Sequence, residues 1–346
     1  MKISEYVSVG HPDKVADYIS EYILDRLLEQ DPNTRYALEV QIKDNFVTLG
    51  GEITTKAEFK EPLCWLDWVH EALAEIGYTE EYCEKWGSEN TIDPQRLCVK
   101  AHISTQSPDI AQGVDNDGWG DQGIFWGMAT RNPDTYDLPR DYYWAMKLCQ
   151  HLYQRAKDGN PWGLDIKTQI VLDDNDKITK VIVAAPVLDK EYEEAIAFEV
   201  QSVLPDSGYA LIINGTGAYI KHASIGDCGT TGRKLAVDFY GGNCRIGGGS
   251  PWTKDPTKAD LTLNLLAREL AKIALTERKL DTAYVSIGCC IGRPEIDITI
   301  YDGHNNVVDS YTYTQPVSKT IELLGLNKPI YTRLCMYGLW GVRDAN

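Results

Sequence analysis

The chain reads as an α+β protein. Strand hairpins recur along it, helices with an apolar stripe follow them, and single strands do not alternate with crossover helices as in a doubly wound parallel sheet. The first helix is built on Val15, Ile19, Ile23, Leu24, Leu27 and Leu28 and stops before the turn signal Asp31-Pro32-Asn33. It opens in GHPDKVAD, residues 10–17, where a proline at the first helical position and an acid in the first turn are ordinary N-terminal chemistry. Phosphates and metal-bound anions also settle at such a place, so the stretch leaves cap and ligand site both open.

Strict alternation over Tyr36–Ile42 and again over Phe46–Leu49, around Lys43-Asp44-Asn45, predicts a hairpin. Leu38, Val40 and Ile42 share one face, so Glu39 and Gln41 point to the other. Phe59, Leu63, Leu66, Val69 and Leu73 predict a helix over 58–77, and a second is expected over Asp141–Arg155. Thr168–Leu172 and Ile178–Ala185 flank Asp173-Asp-Asn-Asp176 as a second hairpin, and Ala283–Ile291 and Ile296–Tyr301 flank a Gly-Arg-Pro turn as a third. Further helices are expected near 190–203, 260–277 and 317–324.

At 346 residues and 43% hydrophobic, the chain has material for two or three subdomains. A formal net charge of −17 opposes a general grip on nucleic acid. The first residues lack the apolar centre of a signal peptide and no run of about 18 apolar residues occurs, so a soluble cytoplasmic protein is expected, with no membrane partner. Nine cysteines without a Cys-x-x-Cys spacing predict reduced thiols, mostly small core residues, and no structural zinc.

Two polar segments stand apart. Gln106–Gly123 holds four aspartates without helix or strand periodicity, which reads as a binding loop or lid. Lys221–Lys258 sets six Lys or Arg against three Asp, among eight glycines, inside an acidic chain. Cations gathered where backbone can approach closely suit a polyphosphate. A Walker loop does not fit, because counting from Gly248 puts Thr253 in place of the second glycine and Asp255 in place of the hydroxyl residue.

GHPDK (10–14), GGEITT (50–55), QSPDI (106–110), GDQG (120–123), GDCGTTGRK (226–234) and GGGSPWTKDPTKAD (247–260), in this order, resemble the S-adenosylmethionine synthetase family. The resemblance spans residues 2 to about 341. It implies a reaction in which methionine sulfur attacks the ribose C5′ of ATP and expels triphosphate, which is then hydrolysed to diphosphate and phosphate. It also implies three similar α+β units around a pseudo-threefold axis, built from discontinuous segments. These are an N-terminal unit of 1–9 with 132–222, a central unit of 10–110 with 223–261, and a C-terminal unit of 111–131 with 262–346. Two such chains would form a homodimer with active sites at the interface, with a tetramer also open.

The resemblance implies catalytic roles for His11, Lys167, Asp121, Arg233 and Lys254. ATP would meet His11, Asp165, Lys167, Tyr219, Asp227, Arg233, Lys234, Ser250 and Lys254, and methionine would meet Glu52, Gln106, Asp227 and Lys258. Asp13 and Asp260 would each hold one of two Mg2+ ions, and Glu39 a K+. Trp119, Ser250-Pro251-Trp252 and Cys289-Cys290 depart from the family pattern, and the expected C-terminal element is short.

Overall fold

Three four-stranded sheets carry the fold among the described residues. The structure, a computed structural model, describes residues 1–59, 63–105 and 117–340. One sheet orders β1 (Lys2–Val7), β6 (Lys167–Leu172), β7 (Ile178–Ala184) and β8 (Ala210–Ile213). A second orders β4 (Cys98–Ser104), β3 (Phe46–Thr54), β2 (Arg35–Lys43) and the two-residue β9 (Gly229–Thr230). The third orders β12 (Val307–Thr314), β11 (Glu295–Asp302), β10 (Thr282–Cys289) and β5 (Gly123–Thr130).

Each sheet lays one face against a long helix. Helix α1 (Pro12–Leu28) packs on β2 and β9, α4 (Arg140–Lys157) on β1 and β6, and α6 (Ala259–Glu277) on β5 and β10. The remaining helices are α2 (Leu63–Ile76), α3 (Glu80–Trp86), α5 (Glu193–Val203), α7 (Val317–Leu323) and α8 (Tyr331–Tyr337), besides single turns at Ala223–Gly226 and Leu235–Asp238. α2 and α8 also pack on α1, leaving Arg26 as its one residue that is not buried.

The expected hairpins are all present, with Leu38, Val40 and Ile42 buried and Glu39 and Gln41 exposed as alternation requires. The helix expected over 58–77 starts at Leu63, and Glu58 and Phe59 stay outside it. Phe59 owes its place in the pattern to loop packing, its ring lying 5.3 Å from Trp65 and 5.9 Å from Trp68. The helix near 190 begins with a single 3-10 turn over Lys190–Tyr192 before α5. Strands β1, β4, β5, β8 and β12 were not apparent from periodicity. None of the nine cysteines is in a disulfide; Cys83, Cys149 and Cys335 are buried, and Cys64, Cys244 and Cys289 pack partly buried against the core.

Candidate active site

His11 caps α1 with its side chain, Nδ1 accepting the Asp13 N–H at 3.1 Å. That bond leaves the ring proton on Nε2. Burial first, and then Lys234, Lys167, Lys14 and Arg233, lower its pKa to about 2. The imidazole is therefore a neutral donor amid cations. Gly10 fits before it only for want of a side chain, since a Cβ there would lie 2.4 Å from the Leu164 carbonyl oxygen.

Asp13, in the first turn, is 2% exposed. Its Oδ1 accepts the Thr230 N–H at 2.9 Å, and its Oδ2 meets Lys234 Nζ at 2.5 Å, with Arg233 at 3.6 Å. The rest of α1 repeats the pattern at intervals of one turn. Asp17 accepts the Gly232 N–H at 2.9 Å, Glu21 the Thr253 N–H at 2.5 Å, and Asp25 the Tyr331 and Thr332 N–H groups at 3.0 and 2.8 Å. Four acids at i, i+4, i+8 and i+12 thus pin the backbone of two cation segments within Lys221–Lys258, the first at 226–234 and the second at 247–258, and of α8. This ladder escaped the motif reading, although its spacing stands in the sequence.

Lys14 lies beneath it, 3.0 Å from Asp17 and 2.7 Å from Asp238, with its ammonium 4.3 Å from the Trp252 ring centroid. Burial works against its charge, but the two carboxylates outweigh this and hold its pKa well above the ordinary lysine value. Burial pushes Asp17 up to about 7, against the pull of Lys14 and with the like charge of Asp238 adding to it.

A cleft of about 420 Å³ opens beside His11, lined also by Asp165, Lys167, Tyr219, His222 and Asp227. Asp165 is 3% exposed and accepts the Ala223 N–H at 3.0 Å and a hydrogen bond from the Tyr219 hydroxyl. Burial raises its pKa, and those bonds oppose the rise. Lys167, at the start of β6, and Asp227 are exposed.

The second cation segment closes on β2. Lys254 bridges Ala37 through its backbone and pairs with Asp260 through its ammonium, while Glu39 accepts hydroxyl bonds from Thr231 and from Thr253, the latter at 3.1 Å. Glu39 thereby ties the two cation segments together. Lys258 binds Asp255 at 2.7 Å and the Tyr36 carbonyl at 2.9 Å, so its ammonium has partners within the chain. Ser250 accepts the Trp252 N–H at 3.2 Å and lies against Gly232, where a Cβ would come within 3.1 Å of it. Glu52, on β3, is half-buried opposite Ala37. Asp121 is exposed and its carbonyl accepts the Cys289 thiol at 3.3 Å; Gln106 lies outside the described residues.

Two family models match the chain, the N-terminal domain of S-adenosylmethionine synthetase over residues 1–108 and the C-terminal domain over 222–346. The chain belongs to the S-adenosylmethionine synthetase family. Its similarity to S-adenosylmethionine synthase of Oleidesulfovibrio alaskensis is 34% identity over 369 residues, covering 98% of this chain and 91% of that protein. The synthase of Brachyspira hyodysenteriae is 33% identical over 375 residues, covering 98% and 92%. A solved structure of an unusual S-adenosylmethionine synthetase from Campylobacter jejuni aligns with a TM-score of 0.90 at 28% identity, covering 99% of this chain and 95% of that one. The α+β fold of three helix-backed sheets is thus that of an S-adenosylmethionine synthetase. No helix among the described residues is long and apolar enough to cross a membrane.

Proposed function

We propose that this chain joins ATP and methionine into S-adenosylmethionine, the sulfur attacking ribose C5′ and triphosphate leaving, and that it then hydrolyses the triphosphate to diphosphate and phosphate. The observation that carries the reading is a matched set of acid–cation pairs. Asp13 is paired with Arg233 and Lys234, and Asp260 with Lys254. Each pair holds a carboxylate fit for Mg2+ beside a cation fit for phosphate, so a magnesium triphosphate would satisfy both members at once.

Hard oxygen donors suit that ion. Among the described residues no group of three or more His, Cys, Asp and Glu gathers to hold a metal, which accords with Mg2+ taking one or two carboxylates and completing its shell with phosphate oxygens. Asp13 and Asp260 would hold the two ions, and Glu39 with the hydroxyls of Thr231 and Thr253 offers oxygens for K+. Bound Mg2+ would supply neutralisation of the charge that grows on the leaving triphosphate.

The chain's own groups do the rest. In-line displacement needs orientation and positive charge where the leaving group develops. His11 offers its Nε2–H as a neutral donor, and Lys167, Arg233, Lys234 and Lys254 clamp the phosphates. Asp165 and Tyr219 set the nucleoside end, with Ser250 along it, and Asp227 spans ribose and methionine. Glu52 and Gln106 receive the methionine ammonium, Lys258 its carboxylate by exchange from Asp255, and Asp121 closes over the reacting centre. The exposed outer face of the β2–β3 hairpin, where Glu39 stands, supports completion of the site in a homodimer or tetramer.

The test is to incubate the protein with ATP, methionine, Mg2+ and K+, following S-adenosylmethionine by mass spectrometry and phosphates by ion chromatography. Product with diphosphate and phosphate supports both steps, and product with intact triphosphate removes the second. No product from folded, ATP-binding protein overturns the reading. Lys254→Ala should cost at least about 100-fold in kcat.

A further inference from the structure

The floor of the cleft's nucleoside end is held by a hydrogen-bonded chain that touches no phosphate-binding group. Thr79 caps α3 by accepting the Tyr82 N–H at 3.2 Å, which fixes the Tyr82 ring on that short helix. The Tyr82 oxygen accepts the Leu164 N–H at 3.1 Å and lies 2.8 Å from His222 Nε2. His222 Nδ1 lies 2.7 Å from the Ile220 carbonyl oxygen, which can only accept, so Nδ1 carries the proton. Nε2 is then an acceptor and the Tyr82 hydroxyl donates to it. Every group in the chain has a defined direction, from Leu164 through Tyr82 and His222 to Ile220.

His222 is 1% exposed and seated edge-on against Trp86, ring centroids 4.8 Å apart, while Tyr82 stacks on the same indole at 5.8 Å. Its backbone N–H donates to the Asn90 carbonyl at 2.9 Å. Leu164 precedes Asp165, and Ile220 follows Tyr219, so the relay ties together the two strands of chain whose side chains meet in the cleft. Asp165 then accepts from Tyr219 and from the backbone of Ala223, which closes the loop. Burial keeps the imidazole neutral, with a pKa of about 4.

We propose that Tyr82, His222 and Trp86 are positioning residues for the nucleoside, holding Asp165 and Tyr219 at the spacing that ATP requires. This rests on the reading of the cleft as the ATP site. Tyr82→Phe keeps the ring on Trp86 and removes the hydroxyl, leaving Leu164 N–H and His222 Nε2 without their shared partner. The expected result is a 5- to 20-fold rise in KM for ATP and in its Kd by calorimetry, with KM for methionine and kcat at saturating ATP within about twofold. Hydrolysis of inorganic tripolyphosphate, which has no nucleoside, should be unchanged. In 15N-histidine spectra the His222 Nε2 resonance should move while Nδ1 stays protonated.

An ATP KM and Kd equal to wild type would overturn the proposal, and so would a parallel loss of tripolyphosphate hydrolysis. If Tyr82→Phe does not fold, Trp86→Phe serves instead, since the buried Trp86 Nε1 has no hydrogen-bond partner among the described residues to lose; it should shift the same ATP constants two- to fivefold. Failure of the parent reading is seen separately, as wild-type protein that makes no S-adenosylmethionine, and the calorimetric ATP Kd then still decides on the relay.

Discussion

Replacing Lys14 by Met tests whether the buried charges under the cation segments act as one unit. The ammonium faces Asp17 and Asp238, and side-chain exposure is 4% for the lysine against 0% and 3% for its partners. Methionine fills much of the same volume and can still lie on Trp252, so the change is chiefly electrostatic. Breaking a buried ion pair from one side costs about 3–5 kcal/mol, because the remaining charge stays desolvated. For a chain of 346 residues, an unfolding entropy near 2.1 cal/mol/K per residue converts this to a fall in Tm of about 4–7 °C. The assay is calorimetry at pH 8 and pH 5.5. Asp17, whose pKa is already raised from 3.8 to about 7, is more easily protonated in the variant, so the deficit should shrink on acidification. A Tm within about 1 °C of wild type at pH 8, or a deficit that grows at low pH, would refute the account.

Glu21→Gln should leave Tm within about 2 °C of wild type or raise it, because Oε2 is buried without a partner among the described residues and burial holds the carboxyl well above its usual range. A raised carboxyl contributes stability that is lost as pH rises, so calorimetry across pH should show a flatter slope for the amide. Gly229→Ala should lower kcat/KM by roughly 100-fold, since a Cβ would sit 2.1 Å from the Pro12 carbonyl oxygen and push Thr230 off Asp13; steady-state kinetics beside an unchanged circular dichroism spectrum checks it. His11 should show no titration between pH 5 and 8 in histidine NMR. Its lowered pKa means that its contribution to stability fades as pH falls below 6.5, and His11→Ala should remove that slope along with about 1 kcal/mol of helix capping.

What could be read in advance followed local periodicity. The three hairpins and the helices α1, α4 and α6 are amphipathic in their own windows, and alternation placed Glu39 on the outer face correctly. Strand β4 escaped because its residues are half-buried or exposed without alternation, and its pairing with β3 is parallel and fixed by tertiary contact. β12 is an edge strand, exposed along nearly all its length, so no inward face marks it. At the site, short motifs gave the named residues. The partners that hold them, such as Asp238 for Lys14 or Thr253 for Glu21, lie more than 200 positions away, where no pattern in one sequence connects them. The i, i+4, i+8, i+12 spacing of the α1 acids stands in the sequence, but the backbone groups they bind do not adjoin it. Only the structure turns that stripe inward.

Because every residue of α1 but Arg26 is buried while His11 caps it and Asp13 lies in its first turn, the proposed reaction site has no foundation apart from the protein's interior. Many enzymes carry their reactive groups on loops that can open while the body stays closed. Here, freeing α1 as a unit would strip β2, β9, α2 and α8 together. Nucleotide binding should therefore slow amide exchange throughout α1 and β2, far beyond the residues that touch it, since whatever stabilises the first turn is drawn on by the entire chain.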